Sequence, residues 1–251
     1  MAHSLFYAAC IRQDLAAYAA GDAPCRNRRV AGERRAWSKA GMTFRPTSPC
    51  CLLVRAHPLT ESLNARLATA VEGFARVAGW QVVVRDLYAE GFDPRLGSDE
   101  RAGYYGGHPA KAVAGEQAEL QAAEVLILVF PTWWSGFPAI LKGWFDRVWS
   151  PGVAFDHAPD LGAMKPRLTG LQEVLVVTTL GSPAWINWLI LWLSQKRLFH
   201  WGILRPCAPR AMLHWMPFYR SETAGPDRVA RFEARLQAAV KAMARRLKCP
   251  E

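Results

Sequence analysis

The stretch FPTWWSGFPAILKGWFDRVW, residues 130–149, decides the fold of this chain. An unbroken apolar run from Val125 to Phe130 stops at Pro131. A turn through Trp133, Trp134, Ser135 and Gly136 follows, and Pro138 opens a segment with helical spacing. A strand that is apolar on both faces and leads through a short loop into a helix is the building unit of a parallel sheet covered by helices. Two indoles in the loop at the strand's carboxyl end suit the holding of a flat ring.

The alternation continues on either side. CLLVRA (51–56) reads as a buried strand, LNARLATAVEGFARVAG (63–79) as an amphipathic helix stopped by Gly79, and QVVVRDL (81–87) as the next strand. A polar, glycine-bearing segment runs to about residue 114, and a short helix spans 116–122 before the central strand EVLILVF (124–130). After the helix at 138–149, residues 150–166 read as a loop or hairpin and EVLVVTT (173–179) as another central strand. Residues 184–201 read as a tryptophan-rich helix, AMLHWM (211–216) as the last strand and 225–248 as the closing helix. Five strands linked by right-handed crossovers predict an α/β fold: a doubly wound, flavodoxin-like parallel sheet of order 2-1-3-4-5 with helices on both faces. It forms one domain, residues 48–251, with no internal repeat. Residues 1–47 are an Ala- and Arg-rich leader of a different character, expected to be disordered, a targeting peptide, or the product of a mis-assigned start with Met42 as initiator.

The chain has 251 residues and a formal charge of +10, much of it before residue 50 and in the last helix. A solvated tail and a solvated helix face account for most of this charge, and a phosphorylated cofactor is the next candidate. No nucleic-acid recognition motif accompanies it, so nucleic acid is not expected as a partner. The six cysteines show neither CxxC nor Cys/His metal spacing. Buried, reduced thiols in the cytoplasm are expected, with no metal. The apolar run Trp185–Leu193 is far shorter than the roughly 20 residues of a membrane span. Membrane contact is expected to be peripheral at most.

In such a sheet ligands bind beyond the carboxyl ends of the strands, at the switch point flanked by strands 1 and 3. After strand 1 the chain reads Arg55 to Asn64 without GxGxxG or GxxxxGK[ST], which excludes a dinucleotide fingerprint and a P-loop. His57, Thr60, Ser62 and Asn64 surround the first turn of a helix, where free N–H groups and the helix dipole favour phosphate. The plainer reading, an N-cap at Thr60 or Ser62, stands level with it. After strand 3, Trp133 and Trp134 are either core residues or a wall for a flavin ring, with the turn's N–H groups on the ring's polar edge. After strand 4, Thr178, Thr179, Leu180, Gly181 and Ser182 offer a small, hydroxylated second wall. A phosphate end and a flat aromatic end in one cleft describe a flavin nucleotide.

At these residues the chain resembles the flavodoxin-like NAD(P)H:quinone oxidoreductase family, which includes the DT-diaphorases and the ancillary quinone reductases of bacterial potassium efflux systems. The family's phosphate loop, roughly A-H-x-x-x-S-x-N, is matched by Ala56, His57, Ser62 and Asn64. Its flavin loop, F-P-x-x-W-x-G-x-P-A-x-L-K-G-W-x-D/E-R-V, is matched from Phe130 to Val148 at every specified position. The resemblance implies tightly bound FAD or FMN, and NADH or NADPH as donor of a hydride to the flavin N5. It also implies ping-pong reduction of a quinone by two electrons, in a homodimer with active sites at the subunit interface. The flavin phosphate is implied at His57, Ser62, Leu63 and Asn64. The isoalloxazine is implied at Pro131, Thr132, Trp133, Trp134, Ser135 and Gly136 and against Thr178, Thr179 and Gly181.

Two departures stand out. The family's T-T-G-G becomes Thr178-Thr179-Leu180-Gly181, and leucine is poor wherever φ is positive. The Tyr and His that assist hydride transfer in vertebrate members have no counterpart in Pro183–Trp188. No catalytic acid or base carries over, which leaves water or a distant group such as His200 as proton source. The alternatives are an azo- or nitroreductase on the same fold, or a flavin-binding regulatory subunit of a membrane transporter.

Overall fold

The computed structural model describes residues 48–104, 111–158 and 162–248. The leader, with its Met42 start and the cysteines Cys10 and Cys25, lies outside the described residues, as does Cys249. Five parallel strands form the sheet: β1 (Cys50–Arg55), β2 (Gln81–Asp86), β3 (Val125–Pro131), β4 (Glu173–Thr179) and β5 (Met212–Phe218). Their order is β2-β1-β3-β4-β5, the doubly wound order expected from the sequence. The last strand lies one to two residues later than its apolar pattern suggested.

β3 and β4 are buried at every residue because helices cover both faces. Successive side chains alternate between two cores. Val125, Ile127 and Val129 meet α1 (Leu63–Val77) and α4 (Pro226–Lys248), through Leu67, Val71, Phe232 and Leu236. Leu126, Leu128 and Phe130 meet α2 (Ala114–Ala122) and α3 (Ala139–Val148), through Leu120, Leu141, Trp144 and Val148. In the segment expected to be a loop or hairpin, Phe155–Asp156 pairs antiparallel with Lys165–Pro166. Cys50, Cys51 and Cys207 are buried, and Cys51 and Cys207 are free thiols. No helix among the described residues is long and apolar enough to cross a membrane.

The tryptophan-rich segment is not the single helix expected over 184–201. A π-helical turn, Ile186–Ile190, ends at Trp192 and Leu193, whose φ values of +49° and +52° are left-handed. A short helix, Ser194–Arg197, and a second π-helical turn, Leu198–Leu204, follow. A surface helix holds its register by burying one apolar stripe. Residues 185–193 are apolar on every side except at Asn187, so no stripe selects a register. Instead the chain kinks so that polar Asn187 and Gln195 turn inward, while Trp185, Trp188, Leu189, Ile190 and Trp192 stay exposed.

Candidate functional site

The loops after β1, β3 and β4 meet at the carboxyl edge of the sheet. In the first, His57 Nδ1 accepts the Leu59 N–H at 3.1 Å, and the imidazole lies 6.2 Å from the Trp133 ring. The Ser62 hydroxyl donates to the Leu59 carbonyl at 3.0 Å and accepts the Ala65 N–H at 3.1 Å, which makes it the N-cap of α1. Capping takes up only that one donor. The N–H groups of Leu63 and Asn64 keep no acceptor among the described residues, at the positive end of a 15-residue helix. Both readings of this loop are therefore compatible at the same residues.

Asn64 is 2% exposed and ties the first loop to the third, its Nδ2 donating to Thr179 Oγ1 at 3.3 Å. Its Oδ1 is buried without a partner. A desolvated carbonyl with no donor costs about 1–3 kcal/mol.

The second loop is a two-residue reversal. Trp133 and Gly136 exchange backbone hydrogen bonds at 3.3 and 2.9 Å, and Trp134 and Ser135 between them have φ of +48° and +57°. These are the left-handed positions of a type I′ turn, normally taken by Asn and Gly, and each non-glycine residue there costs about 1–2 kcal/mol. Such strain is characteristic of functional loops. Trp134 is fully exposed and Trp133 41% exposed, so the reading of the two indoles as core residues fails. Pro131 is buried at the strand end, and Thr132 donates its N–H to the Thr179 carbonyl at 2.8 Å, which sews the turn to β4.

In the third loop Thr178 and Thr179 are buried on opposite faces of the sheet. Leu180 raises no conformational difficulty. Neither it nor Gly181 has a positive φ, and Leu180 is buried with its N–H on the Phe218 carbonyl at 2.9 Å. The altered family motif is thus accommodated in ordinary backbone. Thr178 Oγ1 lies 2.7 Å from Thr132 Oγ1, and Thr132 donates to Gln195 Oε1 at 2.8 Å.

The result is a cavity of about 230 Å³. Its walls are Thr132, Trp134 and Ser135 from the second loop, Leu180, Gly181 and Ser182 from the third, and Asn187, Leu191 and Gln195 from the kinked segment. Sequence reading missed Asn187 and Gln195. The available signal was a lone amide in a run of tryptophans and leucines, but a helix assigned to the whole run hid it. His200 is not among the residues lining the cavity. Among the described residues the cavity is lined by no carboxylate, imidazole, amine or thiol. A larger open groove of about 620 Å³ runs along α1 from Thr60 to Ala70, where Arg66 is already paired with Glu233 at 2.7 Å.

Residues 51–189 match a family model described as a flavodoxin-like fold. The chain is 33% identical over 183 residues to NAD(P)H dehydrogenase (quinone) 1 of Rattus norvegicus, covering 62% of this chain and just under two thirds, 64%, of that relative. It is 32% identical over 214 residues to ribosyldihydronicotinamide dehydrogenase (quinone) of Pongo abelii, covering 74% of this chain and 90% of that relative. Among solved structures, NAD(P)H:quinone oxidoreductase from Methanothermobacter marburgensis shares the fold, with a TM-score of 0.67 at 21% identity over 78% of this chain and 96% of its own. The chain belongs to the flavodoxin-like NAD(P)H:quinone oxidoreductase family.

Proposed function

We propose that the chain is a flavin-dependent NAD(P)H oxidoreductase that binds FMN or FAD in this cleft and reduces a quinone by two electrons. The balanced reaction is NAD(P)H + H⁺ + quinone → NAD(P)⁺ + hydroquinone. The observation that carries the proposal is the meeting, at one edge of the sheet, of the free N-terminus of α1 with a cavity whose described walls carry no acid or base. When bound, the flavin supplies reversible two-electron storage, which none of the described side chains lining the cavity supplies.

The chain's own residues bind and orient. The N–H groups of Leu63 and Asn64, with Ser62 and His57 beside them, would hold the phosphate. Asn64 Oδ1 would accept from a hydroxyl of the flavin side chain. Pro131, Trp133, Trp134, Gly136 and the Ser135 N–H would carry one side of the ring, and Thr178, Thr179 and Gly181 the other. Leu180 and Leu191 exclude water beside it.

The exposed apolar run of Trp185, Trp188, Leu189, Ile190 and Trp192 is the surface on which a second copy would pack, placing the subunit interface next to the cleft. The buried thiols of Cys51 and Cys207 support a reducing compartment, the cytoplasm.

The decisive test is the visible spectrum of the purified protein, followed by mass analysis of the released cofactor. Flavin absorption is expected, bleached by NADH or NADPH and restored by quinone, and Asn64→Ala should weaken flavin binding by about tenfold. Protein that stays colourless after incubation with FMN and with FAD would refute the proposal. Steady-state rates on quinones, azo dyes and nitroaromatics then rank the acceptors.

A further inference from the structure

On the far side of the cleft from β1 lies the end of β5, and the loop there builds an outer rim. Four successive residues of that loop each rest on one wall residue of the cavity. The Tyr219 hydroxyl accepts from Asn187 Nδ2 at 3.1 Å. The Arg220 N–H donates to the Ser182 carbonyl at 3.2 Å, and the Ser221 N–H to the Leu180 carbonyl at 2.9 Å. The Glu222 carboxylate lies 3.1 Å from where a Cβ on Gly181 would stand. Arg220 has a left-handed φ of +45°, which is unfavourable for a residue with a Cβ. The other non-glycine residues of positive φ among the described ones are Trp134, Ser135, Trp192 and Leu193. They belong to the second loop and the kinked segment, which also wall this cavity. Strain gathered at one site is a mark of function.

The backbone of the rim is braced. Arg228 donates through Nη1 to the Arg220 carbonyl at 3.1 Å and through Nη2 to the Tyr219 carbonyl, and its guanidinium lies over the Phe218 ring. Arg220 itself is exposed, and no acid, carbonyl or ring among the described residues engages its guanidinium. A guanidinium presented in this way from a fixed backbone suits a phosphate, which its planar fork can hold by two hydrogen bonds. β3 and β4 separate this rim from the N-terminus of α1, where the flavin phosphate is proposed. A dinucleotide that lays its nicotinamide on a flavin in a cavity of about 230 Å³ leaves its own phosphates outside, at the rim.

We infer that Arg220 binds a phosphate of the hydride donor, the 2′-phosphate or the diphosphate of a nicotinamide dinucleotide, and so selects phosphorylated donors over the bare nucleoside. The inference rests on the proposed flavin-dependent reading of the cleft. Arg228 is a positioning residue that acts through the Arg220 backbone.

The test uses the flavin-loaded protein with Arg220→Asn and Arg220→Lys. Asparagine suits left-handed backbone, so the first variant removes the charge without straining the loop. Flavin stoichiometry and visible spectrum are recorded first. Bleaching of the flavin in the absence of an acceptor is then followed by stopped flow. The donors are NADPH, NADH and dihydronicotinamide riboside, which carries the same ring and no phosphate.

Arg220→Asn should keep its flavin, lose about 10–100-fold in the second-order rate with NADPH, and stay within about twofold of the parent with the riboside. Arg220→Lys should fall between the two. Added salt should slow the NADPH reaction of the parent more than that of Arg220→Asn, because screening weakens the charged contact. An unchanged NADH rate in Arg220→Asn assigns the contact to the 2′-phosphate, and an equal NADH loss assigns it to the diphosphate; both support the inference. Unchanged rates with both dinucleotides, or an equal loss with the riboside, would overturn it. Loss of flavin from Arg220→Asn would place the cation on the cofactor and overturn it as well. A parent protein that binds no flavin would refute the functional proposal itself, before any donor is added.

Discussion

Replacing Gly143 by alanine should destabilise the protein, against the usual direction for a helix interior, where glycine to alanine gains about 1 kcal/mol. Gly143 sits in the middle of α3, where a Cβ would lie 2.2 Å from the Pro94 carbonyl oxygen and 2.4 Å from its Cβ. Carbon contacts settle near about 3.5 Å, so the Pro94 backbone would have to retreat by about 1 Å. It is not free to do so. The neighbouring Asp93 carbonyl accepts from Arg147 at 2.6 Å, and the same guanidinium holds Glu100 through its Nε at 2.8 Å. Overpacking of this kind costs about 1–3 kcal/mol, and weakening a charged hydrogen bond costs about 1.5 kcal/mol or more. Subtracting the propensity gain leaves a net loss of about 2 kcal/mol. Gly73 in α1 provides the opposite sign, because a Cβ there meets nothing within 4 Å. Gly73→Ala should stabilise by about 0.5–1 kcal/mol. Urea denaturation of flavin-free protein, followed by circular dichroism, measures both without ligand linkage. If the midpoint of Gly143→Ala rises together with that of Gly73→Ala, the close packing of α3 on the Pro94 loop is refuted.

Glu173, buried at the amino end of β4, accepts from Arg246 Nε at 2.6 Å and contacts His214 Nε2 at 2.7 Å. Burial by itself would raise its pKa, but the hydrogen bonds from His214 and Arg246 outweigh burial and hold it below the ordinary value. A depressed carboxylate adds stability that is present above its unfolded pKa of about 4.3 and fades as pH falls through the folded value. Glu173→Gln should therefore cost about 2 kcal/mol at pH 7 and flatten the acid limb below about pH 4. Identical pH slopes of the urea midpoint in parent and variant would count against this. Burial pushes the Cys207 thiol up to about 12 and the Cys51 thiol up as well. Neither should be alkylated by iodoacetamide in native protein at pH 8, as read by peptide mass mapping, and rapid labelling of either would contradict their packing. Trp188→Arg places a charge in the exposed apolar run and should shift sedimentation toward the monomer. An unchanged mass would remove that surface from the subunit interface.

The sheet and its order were legible because they follow from local periodicity. Runs such as Val125–Phe130 and Val174–Val177 are apolar on both faces, and only the interior of a helix-covered parallel sheet satisfies that pattern. The positions of the loops after β1, β3 and β4 at the strand ends followed from the same alternation. What periodicity could not supply was the state of individual side chains. Both readings of Ser62 were open because a capping hydroxyl and a phosphate cradle use the same residue type. Trp133 and Trp134 were ambiguous because an indole is equally suited to a core and to a ligand wall.

By itself, then, the sequence determined the doubly wound sheet, the loop between β3 and α3, and the family, all of which are written in residues near one another in the chain. Tertiary structure alone decided which distant residues meet. Asn64 finds Thr179 across 115 residues, and Gln195 finds Thr132 across 63. It also decided that the tryptophan-rich segment breaks at Trp192 and that Gly143 exists to admit Pro94. These outcomes depend on strand register and on the path of the chain over the sheet. A slip of one residue in register turns every side chain to the opposite face, so no local pattern encodes them.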